Sequence, residues 1–70
     1  MNAKKLREKM KERDLSIADV ANAIGVSRID LYRKLSGKRP ITIHEVVCIK
    51  EVLNLTNLEA LEIFLARETA

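Results

Sequence analysis

Cysteine, glycine, proline and aromatic residues are scarce in this 70-residue chain, which contains one cysteine, two glycines, one proline, one tyrosine and one phenylalanine. The single cysteine, Cys48, excludes an intrachain disulfide and a cysteine-based zinc site, and we expect it in or near the core as a small apolar residue. No apolar run is long enough to span a membrane, and no signal-peptide pattern follows the charged start. These absences predict a cytoplasmic protein with an aliphatic core.

Signatures of catalysis are also missing from the sequence. It contains no nucleophile and base at a catalytic spacing, no phosphate-binding loop and no cluster of metal ligands. His44 stands alone, and we expect it at the surface. The sequence therefore predicts no enzyme activity, no cofactor and no metal, and no segment indicates a small-molecule pocket.

The net charge of +3 is distributed unevenly along the chain. Residues 1–14 carry a net +3 and residues 27–40 a net +4, whereas residues 41–70 carry a net −3. A basic half of this kind is typical of proteins that bind polyanions such as nucleic acids. Charge alone does not decide the function, because basic surface faces are common.

Capping signals divide the sequence into helices. A serine or threonine followed three residues later by an acidic residue occurs four times, and such pairs satisfy the unpaired N–H groups of a first helical turn. A further helix is predicted from about Ala3 to Arg13. The four pairs are Ser16–Asp19, Ser27–Asp30, Thr42–Glu45 and Thr56–Glu59.

Stop signals follow each of the first four predicted helices. Gly25 and Gly37 suit the left-handed conformation that ends a helix, and Pro40 prevents the third helix from continuing. Asp14 and Asn54 separate the first and fourth helices from the next. The fold class predicted is all-α, a compact five-helix domain that occupies residues 1–70 as a single unit.

Each predicted helix carries apolar residues at spacings of three or four, which favours one buried face. Helix 5 has more of them than one buried stripe needs, so its surplus covers the core or contacts another subunit. The apolar set comprises Leu6 and Met10; Val20, Ala21 and Ile24; Leu31 and Leu35; Ile43, Val46, Val47, Ile49 and Leu53; and Leu58, Leu61, Ile63, Phe64 and Leu65.

The segment 17–35 has the layout of a helix-turn-helix. Ala21 is small enough for a crossing helix to approach closely, and Gly25 permits the positive φ of a tight turn. Apolar residues at Ile24, Val26 and Leu31 fill the wedge between the two helices. The second helix of this motif enters the DNA major groove, so the segment predicts sequence-specific binding of double-stranded DNA. An ordinary helical hairpin in a small bundle is the alternative.

The third helix presents a set of candidate base contacts opposite the face defined by Leu31 and Leu35. Arginine there can bridge O6 and N7 of guanine, Ile29 can contact a thymine methyl group, and Asp30 can accept from N4 of cytosine. A role in the helix cap is the favoured alternative for Asp30. The predicted DNA-contacting residues of this helix are Ser27, Arg28, Ile29, Asp30, Tyr32 and Arg33.

The loop 37–40 directly after the third helix is a candidate phosphate clamp. The side chains of Lys38 and Arg39, together with free backbone N–H groups, are placed to hold phosphate, although a solvated loop explains the same residues. Ser16 and Asn22 in the second helix are further candidate phosphate donors. The pattern does not decide which arginine reads a base and which holds phosphate.

The sequence resembles the Cro/cI-type, phage repressor-like family of helix-turn-helix proteins over roughly residues 4–65. The resemblance rests on the motifs KER-x-L-S, A-x-x-x-G-V-S-R, L-Y-R-K-L-S-G-K-R-P and L-N-L-T. It implies a compact five-helix, lambda-repressor-like domain whose recognition helix spans residues 27–36. It also implies a transcription regulator of bacterial or bacteriophage type, in which the last helix often forms a dimer on a palindromic operator.

Three features depart from the family pattern. A glutamine that commonly contacts DNA at the start of helix 2 is Ile17 here, which puts that contact in doubt. An arginine and glutamate pair found in many members is replaced by Met10 and Leu35, which we expect to pack together. We also expect no separate C-terminal control domain, as in a small Cro-like regulator.

Two functions remain as alternatives at this point. The first is a transcription regulator that acts by occupying an operator, as a homodimer formed through Leu58, Leu61 and Leu65. The second is a protein-interaction module, such as an antitoxin or antirepressor, which uses the same apolar surface of helix 5. A protein partner that masks these leucines would distinguish the second from the first.

Overall fold

The structure is a computed structural model that describes residues 1–65. Residues 66–70, which the single-domain prediction includes, lie outside the described residues. Within residues 1–65 the regular structure consists of five helices, which confirms the predicted fold class: α1 (Ala3–Glu12), α2 (Ile17–Ile24), α3 (Arg28–Leu35), α4 (Ile43–Val52) and α5 (Asn57–Phe64). Helix α1 ends one residue earlier than predicted, and none of the described helices is long and apolar enough to cross a membrane.

Every helix begins at a residue whose side chain accepts an N–H of the first turn. Such caps matter because helices of eight to ten residues are marginal on their own. The predicted box at α3 forms only in part. Ser27 accepts the N–H of Asp30 at 3.0 Å, but the Asp30 carboxylate binds nearby cations and does not return to Ser27. Complete boxes form at Ser16–Asp19, Thr42–Glu45 and Thr56–Glu59.

One or two residues after each of the first four helices, a residue takes the left-handed conformation. The N–H groups that follow it bond back into the last turn of the helix. Gly25 and Gly37 take this conformation without a steric penalty. Asp14 and Asn54 take it with φ of +56° and +51°, which strains a residue that carries a Cβ. The four predicted stop signals are therefore confirmed, and two of them depend on the tolerance of Asp and Asn for this region.

Ten apolar side chains form the buried core of residues 1–65. Met10 and Leu35 both lie in it, so an apolar pair stands where other members were expected to carry an ion pair. The prediction that Ile43 and Val47 face inward is wrong, because Glu45 and Ile49 occupy the buried face of α4. The core residues are Leu6, Met10, Val20, Ala21, Leu31, Leu35, Ile49, Leu53, Leu55 and Ile63.

Helix packing places α2 against α3 and α4, and α5 against α1 and α4. Polar contacts hold the first helix to the last. The Asn2 N–H donates to the Ile63 carbonyl at 2.6 Å, and Lys9 Nζ lies 2.7 Å from Glu59 Oε2. A second ion pair joins Lys5 to Glu62. The basic face of α1 therefore neutralises part of the acidic last helix.

Cys48 is half-buried on α4 and lies outside the ten buried core residues, so of the two expected positions, in the core or near it, the second is observed. Its Sγ lies 3.6 Å from Nε2 of His44, one turn earlier, and His44 is exposed as predicted. Since α4 buries the face that contains Glu45 and Ile49, Cys48 stands at the border of the core.

Replacement of Asn54 tests the left-handed helix end. Asn54→Ala is expected to lower the free energy of unfolding by about 1 kcal/mol, because alanine tolerates positive φ poorly. Asn54→Gly is the matched control, and we expect it to stay within about 0.5 kcal/mol of the wild type. Urea denaturation followed by circular dichroism measures both, and equal stability of the two variants would contradict the strain.

The pH dependence of stability tests the contact between α1 and α5. Hydrogen bonds from Lys9 and from the Thr56 N–H lower the pKa of Glu59 from 4.5 to about 2. Because folding lowers this pKa, the stabilisation is present above about pH 4.5 and is lost as the pH falls towards 2. Glu59→Gln keeps a capping acceptor without the charge, so its stability is expected to depend less on pH in this window.

Glu8→Gln is the control for that experiment, since Glu8 is exposed on α1 and forms no ion pair with another residue in 1–65. Thermal unfolding at pH values from 2 to about 6 gives the comparison. Parallel curves for the wild type and Glu59→Gln would refute the contribution of this ion pair.

Candidate nucleic-acid interface

Helices α2 and α3 form the predicted helix-turn-helix. The turn between them contains Gly25 with φ of +80°, and the Val26 N–H donates to the Ala21 carbonyl at 3.0 Å. Ala21 and Leu31 are both buried, so the two helices meet through their apolar faces. This packing leaves the opposite face of α3 at the surface.

The outward face of α3 carries Ile29, Arg33 and Ser36, all of them exposed, as the helical wheel predicts. Arg33 forms no ion pair with another residue of the described part of the chain. The face therefore combines an uncompensated cation with an exposed β-branched side chain, and it is bounded by two flanks of different character.

The flank of α3 that faces α4 is occupied by a charge network. The Lys34 ammonium group contacts the Glu45 carboxylate, and it lies 3.0 Å from Oδ2 of Asp30. The guanidinium group of Arg39 lies 2.7 Å from Oδ1 of the same aspartate. Asp30 is thus neutralised by two cations, and Lys34, expected on the flank, is largely buried.

The surroundings of Lys34 and Glu45 favour the charged form of each side chain. Burial raises the pKa of Glu45, but hydrogen bonds from Lys34, from the Thr42 N–H and from the Thr42 hydroxyl outweigh it, so the pKa lies below its usual value. Hydrogen bonds to Glu45 and Asp30 raise the pKa of Lys34. Lys34 and Glu45 therefore stay charged at neutral pH and hold α3 against the start of α4.

The other flank of α3 borders a surface groove of about 340 Å³. Its lining residues come from the start of α2 and the first five residues of α3, and they are Ile17, Arg28, Ile29 and Tyr32. Ile29 is 57% exposed and Tyr32 is 50% exposed, so apolar surface lies open to solvent here. Arg28 forms no ion pair within residues 1–65.

Two basic residues of α1 border this region, and the sequence reasoning missed them. The Arg7 guanidinium carbon lies 5.9 Å from the centre of the Tyr32 ring, within the range of a cation–π contact. Arg7 and Lys11 also line a second recess at the start of α2, together with Ser16, Ile17 and the acidic residues Asp14 and Asp19. Their spacing of four on one helix was the signal available in the sequence.

The expectation of free backbone N–H groups in the loop after α3 is wrong for two of its residues. The Gly37 N–H donates to the Lys34 carbonyl at 3.3 Å, and the Lys38 N–H donates to the Arg33 carbonyl at 2.9 Å. These two backbone groups therefore complete the end of α3 and are not free for phosphate. The Lys38 side chain is exposed without an ion pair inside residues 1–65, whereas Arg39 is held by Asp30.

The remaining candidates differ in position. The hydroxyl oxygens of Ser16 and Ser27 accept N–H groups at the starts of α2 and α3, which leaves each hydroxyl proton able to donate. Ser16 lies beside Arg7 and Lys11. Asn22 is exposed on α2 and is absent from the lining of either recess.

Comparison with known proteins identifies the family. A search of curated proteins and a search of solved structures returned no match to this chain. A family model described as the Cro/C1-type HTH DNA-binding domain matches residues 5–64. That match includes all of α2, α3 and α4 and the loop that follows α3. The chain therefore belongs to the Cro/C1-type family of helix-turn-helix DNA-binding domains.

Proposed function

We propose that this protein is a sequence-specific transcription regulator of bacterial or bacteriophage type, which acts in the cytoplasm by occupying an operator. In this proposal α3 enters the major groove and residues 1–70 act as one domain without catalytic chemistry. Repression follows from steric exclusion of other proteins from the same DNA.

The observation that carries the proposal is the charge arrangement on α3. Arg28 and Arg33 project from exposed positions without an ion pair to any residue in 1–65, so both can bind a base edge or a phosphate. Asp30 is the acidic residue of this helix, and a free carboxylate would repel DNA. Its pairing with Lys34 and Arg39 removes that repulsion.

Phosphate contacts are proposed on both sides of α3. Lys38 follows the helix on one side, while the hydroxyl of Ser16 and the side chains of Arg7 and Lys11 lie towards the other. Contacts to phosphate position a domain without reading sequence, so these residues set affinity more than specificity. Arg39 joins them only if it leaves Asp30.

A homodimer is proposed through α5. Leu58, Leu61 and Leu65 recur at spacings of three and four, and each is at least half exposed. Ile63 faces the core, so α5 has one apolar face buried and a second face open. Two domains joined by the open face would read two half-sites about one helical turn apart.

An interaction module is the second candidate, because the same three leucines are a surface for another protein. An antitoxin or antirepressor would use them to bind its target, and DNA binding would then be secondary. The two candidates differ in what covers Leu58, Leu61 and Leu65: a second copy of this chain or a different protein.

Selection from a random duplex pool at about 150 mM salt tests the proposed function. We expect a palindromic sequence to be enriched, and the affinity for it to fall steeply with salt as counterions are released. Sedimentation of the protein with the selected duplex is expected to give two chains per duplex. Enrichment of no sequence, with weak binding to all duplexes, would refute the proposal and favour the interaction module.

Two substitutions separate base reading from phosphate binding. Arg33→Ala is expected to weaken binding to the selected duplex by about 1–3 kcal/mol if the guanidinium group binds a base, with a smaller effect on random DNA. Lys38→Ala is expected to weaken binding to both alike and to reduce the salt slope by about one. Fluorescence anisotropy titrations at several salt concentrations measure these effects.

Lys50→Ala is the control for Lys38→Ala, because it removes an equal charge from the last turn of α4. It is expected to leave the salt slope close to that of the wild type. An equal loss of affinity in the Arg33→Ala and Lys38→Ala variants for every duplex would contradict the assignment of Arg33 to a base.

A further inference from the structure

We propose that the groove lined by Ile17, Ile29 and Tyr32 accepts the 5-methyl group of a pyrimidine in the DNA major groove. The inference rests on the proposed function and adds to it the chemical group that sets specificity. Thymine and 5-methylcytosine both present this methyl group, and cytosine and the purines do not.

The two apolar side chains that α3 contributes to the groove have no role in the core. Ile29 does not pack against the core cluster, although it is a large aliphatic side chain. Tyr32 lies on the same side of α3 and is also exposed. Exposed aliphatic and aromatic groups among arginines are unexpected in a surface that only holds phosphate, and they match an apolar ligand.

The lining residues of the groove differ in burial. Ile17 is the more buried of the lining residues and packs against the core, while Ile29 and Tyr32 stand out from it on α3. The groove therefore joins the starts of the two helices of the motif, where a base edge passes when α3 lies in the major groove. Ile17, the first residue of α2, therefore contributes an aliphatic wall to this groove.

The apolar walls of the groove discriminate between bases through the cost of removing a base edge from water. A base edge that turns hydrogen-bonding groups towards Ile17 and Ile29 would leave those groups without partners, because the polar groups of the lining belong to Arg28 and Tyr32. A methyl group loses nothing on leaving water and gains contact with both side chains. The guanidinium group of Arg7 on α1 lies over the Tyr32 ring, and this cation–π contact favours the position of that wall.

A cation stands at the edge of the groove. Arg28 lines it together with the apolar residues and is unpaired among residues 1–65. A pyrimidine seated in the groove would thus lie beside a base edge or phosphate bound by Arg28. The cation supplies affinity, and the apolar walls select the methyl group.

The test uses the full chain and the duplex recovered by selection, synthesised with each thymine replaced in turn by deoxyuridine. This exchange removes a methyl group and leaves base pairing unchanged. At one position in each half-site we expect affinity to fall about fourfold, and about fifteenfold when both half-sites are changed. In a second set, the critical pair is replaced by a pair containing cytosine or 5-methylcytosine.

Protein variants assign the effect to the groove. Ile29→Ala is expected to bind the thymine and deoxyuridine duplexes with equal affinity, because the wall that contacts the methyl group is gone. Ile43→Ala is the matched control, since Ile43 is 81% exposed at the start of α4 and lies outside the groove. It is expected to keep the full difference, and thermal unfolding checks that both variants fold.

The outcomes separate this inference from the proposed function. Binding of the wild type to thymine and deoxyuridine duplexes with equal affinity at every position would overturn the inference alone, as would a full difference in Ile29→Ala. Recovery of no duplex would overturn both. Restoration of affinity by 5-methylcytosine relative to cytosine supports reading of the methyl group from either pyrimidine, whereas a thymine effect alone restricts the groove to thymine.

Discussion

The ion pair between Lys34 and Glu45 determines how α3 is set on the rest of the domain. Glu45 is 6% exposed, and it closes the capping box of α4 with Thr42 while it accepts the Lys34 ammonium group. One carboxylate therefore fixes the start of α4 and one flank of α3. With that flank held, Arg28 and Tyr32 face the opposite groove and Arg33 faces outward. The buried leucines of α3 attach the helix to the core, and the ion pair restricts rotation of the helix about its own axis.

The same interaction explains where sequence reasoning succeeded and failed. Helix starts and ends were predictable, because a cap and a left-handed residue act within four positions of each other along the chain. The buried face of α4 was predictable only in part. The predicted apolar set included Ile49 and Leu53, which are buried, but also Ile43 and Val47, which are exposed. A spacing of three or four fits either pair, and Glu45 lies on the buried side because its partner lies eleven residues away on α3.

The candidate site shows the same division. The exposure of Ile29 and Arg33 followed from the helical wheel of α3 alone. The neutralisation of Asp30 by Arg39 and the contact of Arg7 with Tyr32 depend on how helices and loops meet, which no local pattern encodes. The prediction of free N–H groups in the loop after α3 failed for a further reason. Whether these groups are free depends on how α3 ends, and here they bond back to its last turn.

The contacts between α1 and α5 have a consequence for the order in which the domain opens. A short helix that only local bonds hold frays at little cost in free energy. Here the backbone bond from Asn2 to Ile63 and the ion pair between Lys9 and Glu59 join the first and the last of the described helices. We therefore expect α1 and α5 to open together, because loss of either would expose the face of the other. A truncation of the first few residues therefore acts on α5 as much as on α1, and with it on the exposed leucines that α5 presents.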